Sequence, residues 1–534
     1  MSRFADNSRR RVARVLFSLV GVVIALGASP AEQCSIPIAD GWVAGEPLEV
    51  DLDFDGDLDL ILPLANGAKD FDRVLAVRWR QAHAPWFASQ PDEIVEITRD
   101  VIGFAAADID AQAGAELLLF TGSAIYGYRL RAAPDARLWR VTECELFWQL
   151  PNPKALLHLD ACVCDLDGRD DLDLLVPELD GYRAFLFANA GAAIPTASWR
   201  LSLPRDESSL RGVGKLEAAR PQRARAQIGQ RRGNLELSLG FTSGSGGSAP
   251  LVEVDRELPA PHVADFDGDG RFDVAALDGE WLCVWRQLAA GGFEAAPSWQ
   301  LRIPGGASTV TDISYEVLSA HLDPDARSDL LIVRADRSGA DVRTQVLVYR
   351  NESTAGAAGF FVDPAAPPQQ LLIVSGFVQG AQLIDLDSNG ELDLVLSSFR
   401  PELLDQVRSA ASGSIDMQWL AFLQHEGRFA RKPQLQQPYS VALKREASAR
   451  SRLARVVGDG DGDGLCELLL TGEREELQIF PLRRRGDGLE VASAPRWRRS
   501  VPSSVSVDFA VRGGRGPLAL WLRSERGLEY VTLP

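Results

Sequence analysis

The sequence has few of the residues that usually carry enzyme chemistry. Of its 534 residues, six are cysteine, five are histidine and two are methionine. The cysteines form no CxxC pair and no zinc-ligand spacing, and the histidines are scattered. No GxSxG, HExxH, Walker A or dinucleotide-binding motif occurs. We therefore expect a protein without catalytic activity. The alternative of a glycosidase-like pair of carboxylates stays open, because the sequence contains many acidic residues.

The scarcity of cysteine also limits cross-linking. One or two disulfide bonds could form after export, but the sequence does not show which cysteines would pair. For most of the six thiols we expect the role of a small buried hydrophobic residue. Cys162 and Cys164 alternate along a predicted strand and should face opposite sides of it.

Positive charge is in short supply as well. The formal net charge is −18, which argues against nucleic acid or an anionic membrane surface as the main partner. A protein or glycan ligand is the expectation, together with a monomeric state. Much of the negative charge lies in repeated loops, where bound cations would offset it.

Long apolar runs are confined to the N terminus. Residues 1–31 combine a basic start, a short apolar stretch at 15–28 and small residues before Ala31. This pattern predicts an export signal cleaved after Ala31, with an uncleaved anchor as the alternative. Cleavage removes five Arg and one Asp, so the mature chain carries −22. We expect a periplasmic, cell-surface or extracellular protein that is not integral to the membrane after cleavage.

What the sequence does contain is a repeated segment of the form D-x-D-x-D-G-x-L-D-L-x-L. Complete copies occupy 51–62, 265–276, 385–396 and 459–470, and partial copies occupy 108–119, 165–176 and 321–332. Two further segments, 228–239 and 511–522, keep the glycine and the alternating apolar residues but lose the acids of positions 1, 3 and 5, and only 228–239 keeps an acid at position 9, Glu236. The apolar strand is therefore the constant part of the repeat.

The repeat predicts an all-β protein. Its first three copies start 57 residues apart, a period that suits a four-stranded β-propeller blade with long loops. No amphipathic helix of three turns is evident outside the signal. We predict one propeller over 32–534 with eight blades, and seven as the main alternative. Residues 205–250, which include 228–239, are predicted to be an insertion or a reduced blade. Recurring tryptophans, including Trp199, Trp299 and Trp497, are expected to pack between blades rather than to stack on sugars.

The acidic half of the repeat predicts a cation site. A glycine at position 6 lets the chain reverse, so side chains at positions 1, 3, 5 and 9 point inward. Several anionic oxygen ligands in a flexible loop favour Ca²⁺. An EF-hand is excluded because position 12 is apolar and strands follow. The predicted ligands of the four complete copies are Asp51, Asp53, Asp55, Asp59, Asp265, Asp267, Asp269, Asp273, Asp385, Asp387, Asn389, Asp393, Asp459, Asp461, Asp463 and Glu467.

The partial copies carry less negative charge. The copies that start at Asp108 and His321 should bind an ion more weakly, and Arg169 would place its own charge in the copy at Asp165. For any single loop the alternative is a solvated acidic turn held by Asx hydrogen bonds.

Together with the segment Val348-Tyr349-Arg350-Asn351, these motifs resemble the FG-GAP/VCBS repeat of integrin-α-like propellers, in its bacterial VCBS form, over roughly residues 40–534. The resemblance implies a β-propeller with calcium between the first two strands of each blade. Family members serve in adhesion, carbohydrate binding and polysaccharide cleavage. We expect a calcium-binding module for binding, adhesion or scaffolding. The alternative is a lectin or polysaccharide lyase with a groove near 205–250, where Arg220 and Arg223 lie.

Overall fold

The structure is a computed structural model of the chain. It describes residues 33–66, 72–82, 86–110, 112–146, 156–168, 172–178, 181–187, 194–204, 224–231, 234–241, 253–258, 261–278, 281–303, 313–325, 327–336, 342–351, 367–399, 414–442, 454–460, 462–471, 476–486, 488–502, 505–509 and 519–532. The predicted signal at 1–31 lies outside these residues. Among the residues described, no helix is long and apolar enough to cross a membrane.

The described strands form small antiparallel sheets that follow one another along the chain. The first strand is β1 (Gln33–Pro37). Blade 1 contains β2 (Trp42–Ala44), β3 (Leu48–Val50), β4 (Asp59–Asn66), β5 (Arg73–Arg78) and β6 (Glu93–Ile97). Blade 2 contains β7 (Val101–Ala107), β8 (Glu116–Thr121), β9 (Ala124–Tyr128) and β10 (Leu138–Glu143), with β11 (Leu157–His158) parallel to β7. Blade 3 contains β12 (Val163–Cys164), β13 (Asp173–Glu178), β14 (Gly181–Leu186) and β15 (Ala197–Ser202).

A separate three-stranded sheet comes next, formed by β16 (Ala224–Arg231), β17 (Asn234–Phe241) and β18 (Glu253–Leu258). Its strands β16 and β17 contain the described residues of the copy at 228–239, which keeps Glu236 at position 9. Residues 205–223 and 242–252 lie outside the described part of the chain. The assignment of 205–250 as an insertion or a reduced blade therefore stays a prediction.

The second half of the chain repeats the blade pattern. Blade 4 contains β19 (His262–Ala264), β20 (Asp273–Asp278), β21 (Trp281–Trp285) and β22 (Trp299–Arg302). Blade 5 contains β23 (Ile313–Ala320), β24 (Asp329–Asp336), β25 (Arg343–Tyr349) and β26 (Gln370–Ser375). Blade 6 contains β27 (Phe377–Ile384), β28 (Asp393–Phe399), β29 (Ser414–Phe422) and β32 (Leu435–Ala442), with the small hairpin of β30 (Gln424–His425) and β31 (Arg428–Phe429).

The last two blades complete the ring. Blade 7 contains β33 (Ala454–Val456), β34 (Glu467–Thr471), β35 (Glu476–Arg485), β36 (Gly488–Val491) and β37 (Trp497–Ser500). Blade 8 contains β38 (Ser506–Phe509), β39 (Ala519–Ser524) and β40 (Gly527–Thr532), and its fourth strand is β1 from the N terminus. In the described part of the chain, helical structure is limited to the short 3₁₀ turns Pro134–Ala136 and Asp160–Cys162. The all-β prediction with eight blades is confirmed.

The apolar core lies between blades. In β4, Leu60 and Leu62 belong to the cluster shared with blade 8, whereas Ile61 belongs to the cluster shared with blade 2. The second strand of a blade is thus buried on both faces, which is why it is a nearly continuous apolar run. At the closure, Cys34 and Ile36 of β1 pack with Trp521 and Tyr530 of blade 8.

The cysteines and outer tryptophans pack as expected from the sequence. All six cysteines are free thiols, and all but the half-buried Cys164 are buried. Cys162 packs between blades 2 and 3, whereas Cys164 packs between blades 3 and 4, so the two face opposite sides. Trp199 of blade 3 lies against Gly292 of blade 4, where no side chain would fit. Trp299 and Trp497 are half-buried against interblade clusters.

Candidate metal centres at one end of the propeller

The acidic loops occupy the same place in each blade. Position 9 of every copy in blades 1 to 7 is the residue with which the second strand begins: Asp59, Glu116, Asp173, Asp273, Asp329, Asp393 and Glu467. Positions 1 to 8 therefore form the turn between the first and second strands. First strands of successive blades touch one another, as β7 and β12, β19 and β23, and β23 and β27 do. The loops thus share one end of the propeller, near its axis.

The acid at position 9 is a buried anchor. In blade 5, Asp329 is fully buried, and its carboxylate accepts hydrogen bonds from the backbone N–H of Leu322 at 2.8 Å and of Asn351 at 2.8 Å. These bonds join the loop to the end of the third strand. The same pair of backbone bonds is made by Asp59, Asp173, Asp273 and Asp393. Each carboxylate oxygen keeps a second lone pair, which is available to an ion.

The two glutamates at position 9 use an arginine for part of this role. Glu116 accepts from the backbone N–H of Ile109 at 3.2 Å and lies 3.9 Å from Arg129. Glu467 accepts from Gly460 at 2.6 Å and pairs with Arg496 at 3.1 Å. In every described copy, position 9 therefore serves the fold directly, whether or not it also binds an ion.

Burial shifts the protonation of these acids. It raises the pKa of Asp59, Asp329 and Asp393 to about 6 and that of Glu116, Asp173 and Asp273 to about 7, and the backbone N–H donors offset only part of the rise. The unfolded chain releases these protons near pH 4, whereas the folded chain holds them until pH 6 to 7. The native state therefore binds more protons in that window, and its stability falls as pH rises.

In EDTA, we expect the melting temperature to fall steadily between pH 5 and pH 7.5. Each such acid lowers the free energy of unfolding by up to about 1.4 kcal/mol per pH unit, in the pH range where it is ionised in the unfolded chain and still protonated in the folded chain. Asp329→Asn removes one of the titrating groups and should show a shallower fall. Circular dichroism melts across this range make the comparison. A melting temperature that rises with pH in EDTA would contradict the assignment.

Positions 1 and 5 hold the shape of the loop through backbone bonds. Asp385 accepts from the N–H of Asn389 at 3.0 Å and of Gly390 at 2.9 Å, and Asn389 accepts from Glu391 at 2.6 Å. Gly390 has a φ of 88°, the left-handed conformation that the reversal requires. Equivalent bonds link Gly56 to Asp51, Gly270 to Asp265, Gly464 to Asp459, Asp57 to Asp55 and Leu465 to Asp463. The Asx hydrogen bonds that the alternative interpretation expects are thus present, and they hold each loop in its shape.

In blades 1, 3 and 6 the acids at positions 1, 3 and 9 converge. One oxygen from each of the three residues lies within 4.8 Å of the others, in the sets Asp51, Asp53 and Asp59; Asp165, Asp167 and Asp173; and Asp385, Asp387 and Asp393. The blade 3 set belongs to a copy classed as partial in the sequence, and Arg169 lies outside the described residues. In blade 1, Oδ1 of Asp51 and of Asp53 is buried and accepts no hydrogen bond, and the same holds for Oδ1 of Asp387 in blade 6.

In blades 2 and 4 an arginine that directly follows the blade's own third strand lies on the acids, whereas in blade 1 the exposed Arg131 of the neighbouring blade pairs with Asp53 at 3.1 Å. In blade 4, Asp265, Asp267 and Asp269 converge, but Arg286 pairs with both Asp267 and Asp269. Arg271 pairs with Asp269 as well. In blade 2, Arg129 pairs with Asp110. The complete motif at 265–276 is thus already neutralised in part by side chains.

The remaining predicted ligands are placed less tightly. Asp55 and Asp273 lie outside the converging sets, each accepting backbone hydrogen bonds instead. In blade 7, Asp461 lies outside the described residues, and Asp459 and Asp463 each accept a backbone hydrogen bond within the loop. In blade 5, His321 at position 1 contacts the carbonyl oxygen of Arg327 at 2.9 Å through Nδ1.

Sequence reasoning missed three buried amides that join neighbouring blades. The side chain of Gln287 donates to the carbonyl of Leu166 in blade 3 at 2.7 Å, and that of Gln424 donates to Leu322 in blade 5 at 2.9 Å. Asn351 donates to Phe266 of blade 4. The backbone N–H of each amide residue bonds to position 9 of its own blade. Of these three residues, only Asn351 belongs to a motif that the sequence analysis singled out, the segment 348–351. Its role in joining blades 4 and 5 follows from the contacts and not from the motif.

Comparison with known proteins gives no family. No protein-family profile matches the chain, and no curated protein matches its sequence. Among solved structures, the chain is similar to one described as the crystal structure of the Chaetomium thermophilum Sqt1 bound to the N-terminus of the ribosomal protein L10. That similarity has a TM-score of 0.35 and 10% sequence identity, and it covers 93% of this chain and 100% of that chain. The sites described above therefore rest on the geometry of this chain.

Proposed function

We propose that this chain is an exported, calcium-stabilised β-propeller of the FG-GAP/VCBS type that serves as a binding or scaffolding module. The observation that carries the proposal is the convergence of three carboxylates within 4.8 Å in blades 1, 3 and 6. Three negative charges so close together repel one another unless a cation joins them. Hard oxygen ligands in a preorganised loop are the set that Ca²⁺ prefers.

Buried oxygens without donors support the same proposal. Oδ1 of Asp51, Asp53 and Asp387 is shielded from solvent and accepts no hydrogen bond. A buried acceptor without a partner costs free energy, and a bound ion removes that cost. The residues that would hold the ion are the converging sets of blades 1, 3 and 6. Calcium would supply positive charge there and add folding free energy, because only the folded loop brings the acids together.

The structural role of the acids at position 9 is consistent with a binding protein rather than an enzyme. From blade 1 to blade 7, position 9 bonds to backbone N–H groups and ties the loop to its blade. The acids are therefore parts of the scaffold, and the loops of the propeller ends offer the surface for a protein or glycan partner. Export is inferred from the pattern of residues 1–31. Depolymerisation of a polysaccharide by the purified chain in a screen of uronide and neutral glycans would contradict the binding role.

The metal proposal predicts that the pair of changes Asp385→Asn and Asp387→Asn lowers the number of bound calcium ions by one. Both changes remove charge from the blade 6 set while leaving neutral oxygens, so the loop keeps acceptors for its backbone bonds. Equilibrium dialysis with radioactive calcium on the mature chain counts the ions.

Asp416→Asn is the matched control, because Asp416 is an exposed acid on β29 of the same blade, where it bonds to Ser440. The control should bind as many ions as the unchanged chain. Equal calcium counts in the Asp385/Asp387 double variant and the unchanged chain would refute the blade 6 site.

A further inference from the structure

We infer that in blades 2 and 4 the arginine opposite position 9 on the third strand supplies the cation of its own loop and so keeps a metal ion out of it. The inference rests on the proposed calcium binding and adds a residue outside the acidic motif to it. On this basis, blades 2 and 4 hold a guanidinium at the place where blade 6, with Leu423 opposite position 9, would hold calcium.

Strand register identifies the residue. Position 10 of each copy pairs with a residue of the third strand, for example Leu117 with Tyr128 and Val274 with Trp285. In an antiparallel pair, the next residue of the third strand then lies opposite position 9, and opposite residues point to the same face of the sheet. From blade 1 to blade 7 these residues are Trp79, Arg129, Leu186, Arg286, Arg350, Leu423 and Pro481.

Blade 4 shows the contacts most fully. Nε of Arg286 pairs with Oδ2 of Asp267, and its Nη2 lies 3.0 Å from Oδ2 of Asp269. The Asp267 side chain is fully buried, whereas that of Arg286 is 35% exposed. The guanidinium thus closes the loop from the solvent side and contacts acids at positions 3 and 5. One charge-assisted hydrogen bond, to Asp269, and one close ion pair, with Asp267, hold it there.

Blade 2 repeats the arrangement with different acids. Arg129 pairs with Asp110 at position 3, and its Nε lies 3.9 Å from Glu116 at position 9. The guanidinium carbon also lies 4.9 Å from the ring centroid of Trp139. Stacking on the ring adds a cation–π attraction that an arriving ion would have to overcome.

The blades with apolar residues at this position behave differently. Trp79, Leu186 and Leu423 stand opposite position 9 in blades 1, 3 and 6, which are the blades where positions 1, 3 and 9 converge. In blade 4 the converging set is instead made of positions 1, 3 and 5. In blade 5, the guanidinium of Arg350 lies against Gly427 of blade 6, and position 1 is His321. In blade 6, Leu423 brings no charge to the loop. In blade 1, an arginine of the neighbouring blade reaches the loop instead: Nη1 of Arg131 lies 3.1 Å from Oδ2 of Asp53, and its guanidinium stacks on Trp79. In blade 7, where Pro481 stands opposite position 9, Arg496 pairs with Glu467.

Electrostatics explain why the two cations exclude each other. A divalent ion at the acids of blade 4 would lie within a few ångströms of the guanidinium, where like charges repel strongly in a half-buried site. Binding would require Arg286 to leave both aspartates. The ion would then gain only the difference between its own attraction and that of the arginine. We therefore expect weak or absent calcium binding in blades 2 and 4.

The test exchanges the two kinds of residue. Arg286→Leu copies the residue of blades 3 and 6 into blade 4 and should raise the calcium count of the mature chain by one. Leu423→Arg makes the reverse change in blade 6 and should lower the count by one. Arg302→Leu is the matched control, because Arg302 is an exposed arginine on the outer strand of blade 4, and its removal should leave the count unchanged. Equilibrium dialysis counts the ions.

A second readout needs no calcium. In EDTA, Arg286→Leu leaves the buried Asp267 without its cation and should lower the melting temperature by about 3 °C relative to Arg302→Leu. Added calcium should recover that loss. Leu423→Arg should melt no lower than the unchanged chain in EDTA but should respond less to calcium.

The outcomes separate this inference from the proposed function. If the unchanged chain binds calcium and Arg286→Leu gains none, the inference is overturned and the proposed function stands. A loss of one ion from the otherwise unchanged chain on Asp267→Asn would also overturn it, since calcium would then already displace Arg286. If no variant binds calcium, the proposed function fails, and the lower melting temperature of Arg286→Leu in EDTA still supports the guanidinium as the cation of blade 4.

Discussion

Calcium added to the metal-free mature chain should raise its melting temperature by roughly 8 °C. An ion that binds only the folded state at about 100 times its dissociation constant adds about 2.7 kcal/mol per site, or about 8 kcal/mol for three sites. A chain of about 500 residues has an unfolding entropy near 1 kcal/mol per kelvin, so each kcal/mol moves the midpoint by about 1 °C. The converging sets of blades 1, 3 and 6 are the three sites that we propose.

Differential scanning calorimetry in EDTA and in excess calcium makes the measurement. Magnesium at the same concentration is the control, because it demands a smaller and more regular shell and should stabilise less. The Asp385→Asn, Asp387→Asn double variant should retain about two thirds of the calcium response. Identical melts in EDTA and in calcium would show that these loops are acidic turns held by Asx bonds alone.

Asp329→Ala should lower the free energy of unfolding by about 3 kcal/mol, with or without calcium. Asp329 is fully buried and accepts from the N–H groups of Leu322 and Asn351, so alanine leaves two buried donors unsatisfied. Each such donor costs about 1–3 kcal/mol. Blade 5 is chosen because His321 replaces the acid at position 1, which separates the anchoring role from ion binding.

The control for this prediction lies in the same loop. Asp325 is half-buried and accepts from the N–H of Arg327 at 2.9 Å, so Asp325→Ala should cost about 1 kcal/mol or less. Urea denaturation followed by tryptophan fluorescence compares the two variants. If Asp329→Ala and Asp325→Ala lower the free energy of unfolding by the same amount, position 9 does not anchor the blade.

The propeller was largely predictable because each copy of the repeat marks the position of one strand in its blade. A glycine followed by alternating apolar residues marks each second strand, even where acids are lost, as in the part of 511–522 that lies in β39. The repeat starts, without the one at 228, predict eight units, and eight blades are observed. Packing between blades buries both faces of the second strand, so the strand needs apolar residues along most of its length, and a run of apolar residues is visible in one sequence.

The placement of acids in the loops was predictable only in part. The pattern identified Asp51, Asp53, Asp385 and Asp387 as residues of one turn, and the structure brings them together with position 9. It treated the copy at 165–176 as doubtful, yet Asp165, Asp167 and Asp173 converge in the same way. The spacing of acids along the sequence predicts where carboxylate oxygens cluster within a loop. It does not predict which arginine side chain, such as Arg286, reaches them from another part of the fold.

The sequence by itself determined the strands, the loops and the closeness of the acids, because these depend on spacing within twelve consecutive residues. Only the tertiary structure decided that position 9 anchors the loop to the third strand, that Gln287, Asn351 and Gln424 connect blades, and that Arg129 and Arg286 neutralise two of the loops. The physical reason is register. The hairpins between second and third strands differ in length, so the residue that comes to lie opposite position 9 is set by strand pairing rather than by a constant spacing in the chain.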